Sequence, residues 1–196
     1  MTKKQSKRSA ASPPLQRGRL RGGVRFILIA AISLDGRITD GKNEGTEWTS
    51  KEDQRFFRSE LDKADAVILG RKTFETIPRP LTPRNRIVFS RSTTFQHSEE
   101  CWNVVAFGGA KSKLLKLLNE KSWKRVVIAG GTEIYAWFLK NRLVDEIYLT
   151  LEPVIFGAGK ALLAEGNYGG NWSLTSSRKL NKTGTLLLKY KLELSR

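Results

Sequence analysis

Two glycine-marked junctions between a predicted strand and a predicted helix are well suited to holding a phosphorylated ligand. In the first, the apolar run 67–69 ends at Gly70, and in the second, the run 126–129 ends at Gly130 and Gly131. Glycine lets backbone N–H groups approach a ligand closely, and a helix that begins just beyond it favours anions at its N-terminus. Neither junction has the G-x-G-x-x-G or P-loop spacing. The pair predicts a diphosphate bridging two turns at the carboxyl edge of an α/β sheet.

A carboxylate on an apolar helix face is the second candidate for chemistry. Asp53 lies in the first turn of a predicted helix over 50–63, with Phe56 and Phe57 three and four residues further on. Side chains at these spacings share one face of a helix. A carboxylate between aromatic rings has a shifted pKa and could hydrogen-bond the amidine-like edge of a flat heterocycle. The spacing fits equally well an acid that only stabilises the helix dipole, so both interpretations stay open on spacing alone.

The elements that must position these residues follow from hydrophobic periodicity. A near-continuous apolar run over 25–32 is typical of a strand covered on both faces, and Thr49 with Glu52 predicts a capping box before the helix at 50–63. Further strands are predicted at 66–69, 86–90, 103–107, 125–129 and 146–151, helices at 113–118 and 132–140, and a hairpin at 172–180 and 185–194. Strands that alternate with helices predict an α/β fold with a mostly parallel sheet, completed here by a C-terminal antiparallel hairpin.

Composition excludes several classes of protein. No apolar run reaches the ~18 residues of a membrane helix. The single histidine, His97, and the single cysteine, Cys101, cannot build a zinc site of these ligand types or a disulfide framework. They are interpreted as bystanders to any chemistry.

The charge of the chain is large and uneven. The net charge is +16, and residues 1–23 hold seven basic residues and no acidic one. This predicts a basic, disordered tail before a domain over 24–196, and the lack of an apolar secretory region in the tail predicts a cytoplasmic protein. Such charge favours anionic partners. The strands lack the interleaved aromatic and basic residues of a stacking platform, so a nucleic-acid-binding protein is the less favoured interpretation.

Several segments carry a resemblance to a known family. The segment 70–81, Gly-Arg-Lys-Thr-Phe-Glu-Thr-Ile-Pro-Arg-Pro-Leu, matches in full the pattern Gly-Arg-x-Thr-x-Glu-x-Ile-x-Arg-Pro-Leu of dihydrofolate reductases. Other matching features are Ala30-Ala31 at the end of the first strand, Trp48 ahead of Asp53, Gly130-Gly131 with Tyr135, and the strand Tyr148-Leu149-Thr150. The chain resembles that family over about residues 26–192. The resemblance implies the family's three-layer α/β fold, with helices on both faces of the sheet.

The resemblance also implies NADPH-dependent hydride transfer to 7,8-dihydrofolate, which yields tetrahydrofolate. Asp53 would orient the pterin and assist its protonation, supported by Thr150, and Arg84 would hold the glutamate carboxylate of the substrate. The side chains expected to contact the substrate also include Ala31, Phe57 and Ile77. Contacts to the cofactor are implied for Ala30, Gly70, Arg71, Lys72, Thr73, Ser90, Arg91, Gly130, Gly131, Thr132 and Tyr135. The loop 40–47 would close over the nicotinamide and exclude water.

Three segments resemble the riboflavin-pathway reductases of the same superfamily more closely. They are Ser33-Leu34-Asp35-Gly36-Arg37-Ile38, the stretch 143–147, and the stretch 152–163, which contains Gly157-Ala158-Gly159-Lys160. The alternative substrate is therefore 5-amino-6-(5-phosphoribosylamino)uracil. The oligomeric state also stays open, because folate reductases are often monomers whereas the riboflavin-type relatives pair through their sheets as homodimers.

Overall fold

The computed structural model describes residues 23–42, 45–76, 85–90 and 104–193, with the backbone alone described at 104–107. Outside these residues lie residues 1–22 of the predicted tail, the predicted site residues Ile77, Arg84 and Arg91, and also His97 and Cys101.

Eight strands and four helices form within the described residues. The strands are β1 (Arg25–Ile32), β2 (Ala66–Gly70), β3 (Arg86–Phe89), β4 (Val104–Phe107), β5 (Arg125–Ile128), β6 (Glu146–Leu151), β7 (Trp172–Lys179) and β8 (Leu186–Leu192). The helices are α1 (Lys51–Asp62), α2 (Arg71–Thr76), α3 (Lys111–Glu120) and α4 (Thr132–Lys140). The strands and helices expected from periodicity are confirmed, with small shifts at their ends. None of the described helices has the length and apolar character needed to cross a bilayer.

The strands form one sheet in the order β4-β3-β2-β5-β1-β6-β8-β7. β1 runs parallel to β5 and β6, β2 runs parallel to β5 and β3, and β3 runs parallel to β4. β8 is antiparallel to both β6 and β7. The fold class is therefore confirmed: a mostly parallel sheet with a C-terminal antiparallel hairpin.

Two apolar cores cover the two faces of the sheet. Phe26 and Leu28 of β1 enter one core, and Ile27 and Ile29 enter the other, because successive side chains of a strand point to opposite faces. The first core takes side chains from α3 and α4, and the second takes side chains from α1 and α2. The helices therefore lie on both faces, which explains why β1 is apolar at consecutive positions.

The parallel strands bring their carboxyl ends to one edge of the sheet. Gly70 ends β2, and Gly130 comes two residues after β5. Near the end of β1, Ala31 pairs with Thr150 of β6, and Ala30 precedes it. These residues, distant in sequence, therefore meet at a single edge, where open α/β sheets bind ligands.

The loop after β1 is fastened to the segment after β6. The amide of Ile38 donates to the Lys160 carbonyl at 2.8 Å, and Asp35 accepts hydrogen bonds from backbone amides of the same segment. We call residues 33–38 and 152–163 the paired loops. They coincide with two of the stretches that resemble riboflavin-pathway reductases in sequence, so these two stretches form one structural unit.

Candidate active site

The first turn of α1 carries the candidate catalytic carboxylate, Asp53. The helix begins after Ser50, whose backbone is extended and whose Oγ accepts a hydrogen bond from the Asp53 amide at 3.2 Å. The capping box predicted for Thr49 and Glu52 is therefore wrong by one position, and Ser50 is the N-cap. The Thr49 hydroxyl instead donates to the Thr46 carbonyl at 3.0 Å, so it stabilises the preceding turn.

Asp53 is a buried acid, with 6% of its surface exposed. Burial raises the pKa of its carboxyl above the ordinary value for Asp, because the charged form loses water. The hydroxyls of Thr150 and Thr49 oppose the rise, and the negative charge of Glu152 adds to it. The net result is a carboxyl that binds a proton more readily than a surface aspartate, as acid–base sites require.

Two of the buried polar groups at this end of the sheet that have no hydrogen-bond partner of normal geometry within the described residues belong to residues of the candidate site or its surroundings. They are Oγ1 of Thr150, a residue that is 1% exposed, and Nε1 of Trp48. The Trp48 ring itself is packed edge-on against Phe156, with centroids 5.0 Å apart. Buried polar groups in folded proteins are nearly always bonded to protein or water. These two groups therefore indicate a place for a polar ligand or an ordered water.

The two glycine junctions predicted from the sequence lie directly against each other. The Gly70 amide donates to the Gly130 carbonyl at 2.8 Å, and the Gly130–Gly131 peptide bond is cis. A Cβ at Gly70 would lie 3.2 Å from the Ile134 side chain, and one at Gly131 would lie 3.4 Å from Thr73 Oγ1. Side chains at these positions would crowd the turns, so glycine keeps the backbone accessible to a ligand.

Tyr135 links the second glycine junction to Asp53. Its hydroxyl donates to the Ile29 carbonyl of β1 at 2.7 Å, and a Cβ at Gly130 would lie 2.8 Å from that hydroxyl. Burial raises the pKa of Tyr135, and the charge of Asp53 adds to the rise. Tyr135 therefore lies between the second glycine junction and β1, within reach of the Asp53 charge.

The cations expected at the cofactor lie on the surface of α2. Arg71 forms an ion pair with Glu75 (Nη1–Oε1 3.0 Å), in which both side chains are close to half exposed. Lys72 is exposed as well. An exposed pair of this kind contributes little to stability. Arg71 can therefore exchange Glu75 for a phosphate at small cost.

Thr132 and Ser90 are two further residues expected at the cofactor. The Thr132 hydroxyl donates to the Ala161 carbonyl at 2.6 Å. Its hydroxyl proton is thus engaged by one of the paired loops, and the amides in the first turn of α4 are the donors that remain suited to a phosphate. The Ser90 carbonyl lies 2.9 Å from the position a Cβ would take at Gly108. The Ser90 backbone therefore leaves no room for a side chain there.

A sequence match over nearly the whole domain identifies the family of this protein. The model of the family described as dihydrofolate reductase matches residues 25–192. The chain belongs to the dihydrofolate reductase family. A putative dihydrofolate reductase from Caenorhabditis elegans is 38% identical over 139 residues, which cover 64% of this chain and 70% of that protein.

Solved structures of dihydrofolate reductase-like proteins share the fold. A putative riboflavin biosynthesis protein from Shewanella sp. PV-4 superposes with a TM-score of 0.72 at 21% identity, covering 87% of this chain and 99% of that one. Dihydrofolate reductase from Enterococcus faecalis, solved with NADP(H), superposes with a TM-score of 0.66 at 22% identity, covering 86% and 96%. The resemblance inferred from the sequence motifs is confirmed, and the protein is an oxidoreductase of this superfamily.

Most residues assigned from the family motifs lie at the same sheet edge in this dihydrofolate reductase-like domain. Phe57 is partly buried against the core that contains α1. Ala30 and Ala31 lie next to β6, and Thr73 lies against Gly131. The roles of these residues, and those of Ile77, Arg84 and Arg91 outside the described residues, stay predictions.

One buried residue near this dihydrofolate reductase-like site was missed by the sequence reasoning. Glu152 follows β6 directly, is 3% exposed, and acts on Asp53 through its charge. The signal was present in the strand, because side chains two residues apart point to the same side. Thr150 was assigned to the site, and Glu152, two residues further on, lies on the same side of the sheet.

Proposed function

We propose that this protein uses NADPH to reduce a C=N bond of 7,8-dihydrofolate. The observation that carries the proposal is the buried Asp53 carboxyl, whose pKa is raised, next to the buried hydroxyl of Thr150, which acts on that carboxyl. A carboxylate accepts two hydrogen bonds side by side, and a hydroxyl both donates and accepts. This pair suits the edge of a flat heterocycle that presents neighbouring N–H groups, as the pterin ring does.

The glycine turns fit a pyridine dinucleotide. Gly70 and Gly131 keep the turn backbone open where a Cβ would approach Ile134 or Thr73, and the first turn of α4 offers amides to a diphosphate. Arg71 and Lys72 on α2 would pair with a 2′-phosphate through charge-assisted hydrogen bonds. NADPH, when bound, supplies the hydride. The complex of the Enterococcus faecalis relative with NADP(H) supports this choice of cofactor.

The residues of the chain would assist the transfer of the proton, whereas the hydride comes from NADPH. Reduction of a C=N bond adds a hydride to carbon and a proton to nitrogen. Asp53 would hold the pterin by accepting its N–H groups, and its raised pKa would favour delivery of a proton to the ring nitrogen through water. Thr150 would fix the direction of the carboxylate. The Trp48 indole N–H would bind the water or a substrate oxygen.

The decisive experiment is NADPH oxidation, followed by absorbance, with dihydrofolate present and absent. We expect dihydrofolate-dependent oxidation in the unaltered protein and a loss of about 10²-fold or more in Asp53→Asn. Asp62→Asn is the matched control, because Asp62 ends the same helix and is exposed. It should keep its activity. No oxidation with dihydrofolate in the unaltered protein would contradict the proposal.

One structural observation favours a second candidate, the reduction of 5-amino-6-(5-phosphoribosylamino)uracil. The paired loops 33–38 and 152–163 are two of the stretches that resemble riboflavin-pathway reductases, and they are hydrogen-bonded into one unit beside β1 and β6. The likeness in fold to the Shewanella riboflavin biosynthesis protein is compatible with this candidate. The same NADPH assay with the phosphoribosylamino-pyrimidine separates the two, because the preferred substrate gives the higher kcat/KM.

A further inference from the structure

Glu152, the buried glutamate that follows β6, is bonded to the start of α1. Its Oε1 accepts hydrogen bonds from the Ser50 amide at 2.8 Å and from Ser50 Oγ at 2.7 Å. Its Oε2 accepts a hydrogen bond from Thr185 Oγ1 at 2.6 Å. Three hydrogen-bond donors thus satisfy the carboxylate of a residue that is only 3% exposed.

Ser50 connects Glu152 to Asp53. A hydroxyl has one proton and two lone pairs. The Ser50 proton is directed to Glu152, so a lone pair is left to accept the Asp53 amide at 3.2 Å. Glu152 therefore sets the hydroxyl direction that the N-cap requires. Its negative charge also lies at the positive end of the α1 dipole.

Glu152 is itself held from two sides. Its amide donates to the Ile32 carbonyl of β1 at 2.8 Å, which attaches it to the sheet edge. Thr185, which is 0% exposed, accepts a hydrogen bond from Asn181 Nδ2 at 2.9 Å. Asn181 closes the turn between β7 and β8 by accepting the Thr185 amide at 3.1 Å. A continuous chain of hydrogen bonds therefore runs from the hairpin turn to the first turn of α1.

Stability alone does not explain a second carboxylate beside Asp53. Two like charges in a buried region oppose folding, and replacing a buried ion by an apolar side chain is often neutral or stabilising. Glu152 also contributes to the raised pKa of Asp53, after burial as the main cause. A costly charge bonded to the helix turn that carries a candidate catalytic acid indicates a role in the site.

We propose that Glu152 is the positioning residue for Asp53. Its carboxylate holds the Ser50 cap, and through this cap it fixes where the first turn of α1 places the Asp53 carboxyl. Thr185 and Asn181 complete the support from the hairpin. The inference rests on the proposed function for its activity measurement, and a stability measurement keeps it testable without that function.

The activity test compares Glu152→Leu, Glu152→Gln and the control Glu60→Gln. Glu60 is the buried glutamate of α1, 4% exposed and bonded to Lys63 at 3.1 Å. We expect Glu152→Leu to lower kcat about 10- to 100-fold, as for a misplaced catalytic group, with NADPH affinity unchanged. Glu152→Gln keeps an acceptor for Ser50 and should retain most of kcat. Glu60→Gln should lower thermal stability and leave kcat intact.

The pH profile distinguishes positioning beside Asp53 from a merely structural role. The titratable groups around Glu152 and Asp53 are Glu52 of α1, next to Asp53 in the chain, and Tyr135 of α4, which the Asp53 charge affects. In Glu152→Gln the limb of the kcat/KM profile that depends on Asp53 should move to lower pH, because a like charge has been removed. Glu60→Gln should leave this limb in place. An unmoved limb in Glu152→Gln would count against the proposal.

The stability test is a double-mutant cycle of Asp53→Asn and Glu152→Gln, measured by urea unfolding at pH 8. If the two carboxylates interact as the structure indicates, Asp53→Asn should stabilise the protein less in the Glu152→Gln background. Such coupling in a protein that fails to reduce dihydrofolate would support the contact and overturn the proposed function. Additive effects, together with an unchanged kcat for Glu152→Leu in an active protein, would overturn the inference.

Discussion

Asp53 combines a chemical advantage with a cost in stability. Burial removes water from its carboxyl and raises its pKa, and the Glu152 charge increases the effect. The same burial makes the charged form of Asp53 unfavourable in the folded protein. Residues of active sites commonly carry such a cost, and neutral replacements then stabilise the fold while they abolish activity.

We predict that Asp53→Asn is more stable than the unaltered protein at pH 7–8. The folded pKa of Asp53 lies above the unfolded value, so the protonated form contributes stability that is present below the unfolded pKa, about 4, and is lost as pH rises through the folded pKa. The neutral amide keeps that stability at all pH values. Thermal unfolding across pH should show a difference that grows from acid to neutral pH. A variant less stable at pH 8 would contradict the assignment of a raised pKa.

At the cofactor, we predict a preference for NADPH over NADH that depends on Arg71. A charged hydrogen bond to the 2′-phosphate is worth about 1.5–3 kcal/mol, so Arg71→Ala should raise KM for NADPH at least about tenfold and leave KM for NADH nearly unchanged. Lys116→Ala is the control, because Lys116 forms an exposed i,i+4 pair with Glu120 on α3, as Arg71 does with Glu75 on α2. Equal use of both cofactors by the unaltered protein would contradict the prediction.

Arg84 provides the residue-scale test between the two substrates. Family resemblance assigns it to the glutamate carboxylate of folate, remote from the reacting ring. Arg84→Ala should then raise KM for dihydrofolate about tenfold, with a smaller effect on kcat, because the contact is equally strong in ground and transition states. A pterin without the glutamate tail serves as the control substrate and should be unaffected. An unchanged KM for dihydrofolate would weaken the folate assignment.

At the scale of elements, the paired loops connect the first strand to the second glycine junction. Lys160 and Ala161 bond to the loop after β1 and to Thr132 at the start of α4. Gly159 adds a close backbone approach, because its Cα lies against the backbone that begins the loop 40–47. A change in one of the paired loops should therefore affect both stability and the site.

We predict that Gly159→Ala is more damaging than Gly157→Ala. Both glycines have positive φ (+102° and +70°), which costs an alanine roughly 1 kcal/mol. A Cβ at Gly159 would also lie 1.9 Å from the Thr39 carbonyl, whereas none of the described atoms comes within 4 Å of a Cβ at Gly157. Thermal unfolding and NADPH oxidation should both show the larger loss for Gly159→Ala. Equal losses would mean that the contact with Thr39 is unimportant.

On the scale of the whole molecule, the positive charge should raise the rate at which the protein meets anionic ligands. The net charge is +16, and NADPH and dihydrofolate are both anionic. A positive field raises the rate at which anions reach a site, and salt screens this effect over about 10 Å at 0.1 M. The charge is therefore expected to influence association more than the chemical step.

We predict that KM for NADPH rises with sodium chloride while kcat changes little. Removal of residues 1–22, which hold seven basic residues and no acidic one, should reduce this salt dependence and shorten retention on heparin. The shortened protein should keep its kcat, because the predicted site residues all lie beyond residue 22. A large loss of kcat on removal of the tail would contradict the assignment of the site to the domain alone.

Local patterns in the sequence determined the elements of this protein and their order. The apolar run of β1, the alternation of β7 and β8, and the glycines after β2 and β5 each depend on neighbours within a few residues, so backbone preferences and side-chain periodicity suffice to predict them. The segment 70–81 likewise identified the family without reference to any long-range contact. Capping was less certain, because Thr49 and Ser50 are both suitable residues and the tertiary partner of Ser50 decided between them.

Only the tertiary structure decided how these elements act together. The hydrogen bond between Gly70 and Gly130 turns two separate junctions into one surface. The pKa of Asp53 depends on what covers it and on Glu152, which is brought to α1 from the far end of β6. Desolvation and charge interactions are set by the packing of distant segments, so no local pattern encodes them. The sequence therefore named Asp53 as a candidate, and the fold supplied the environment that makes it a distinctive acid.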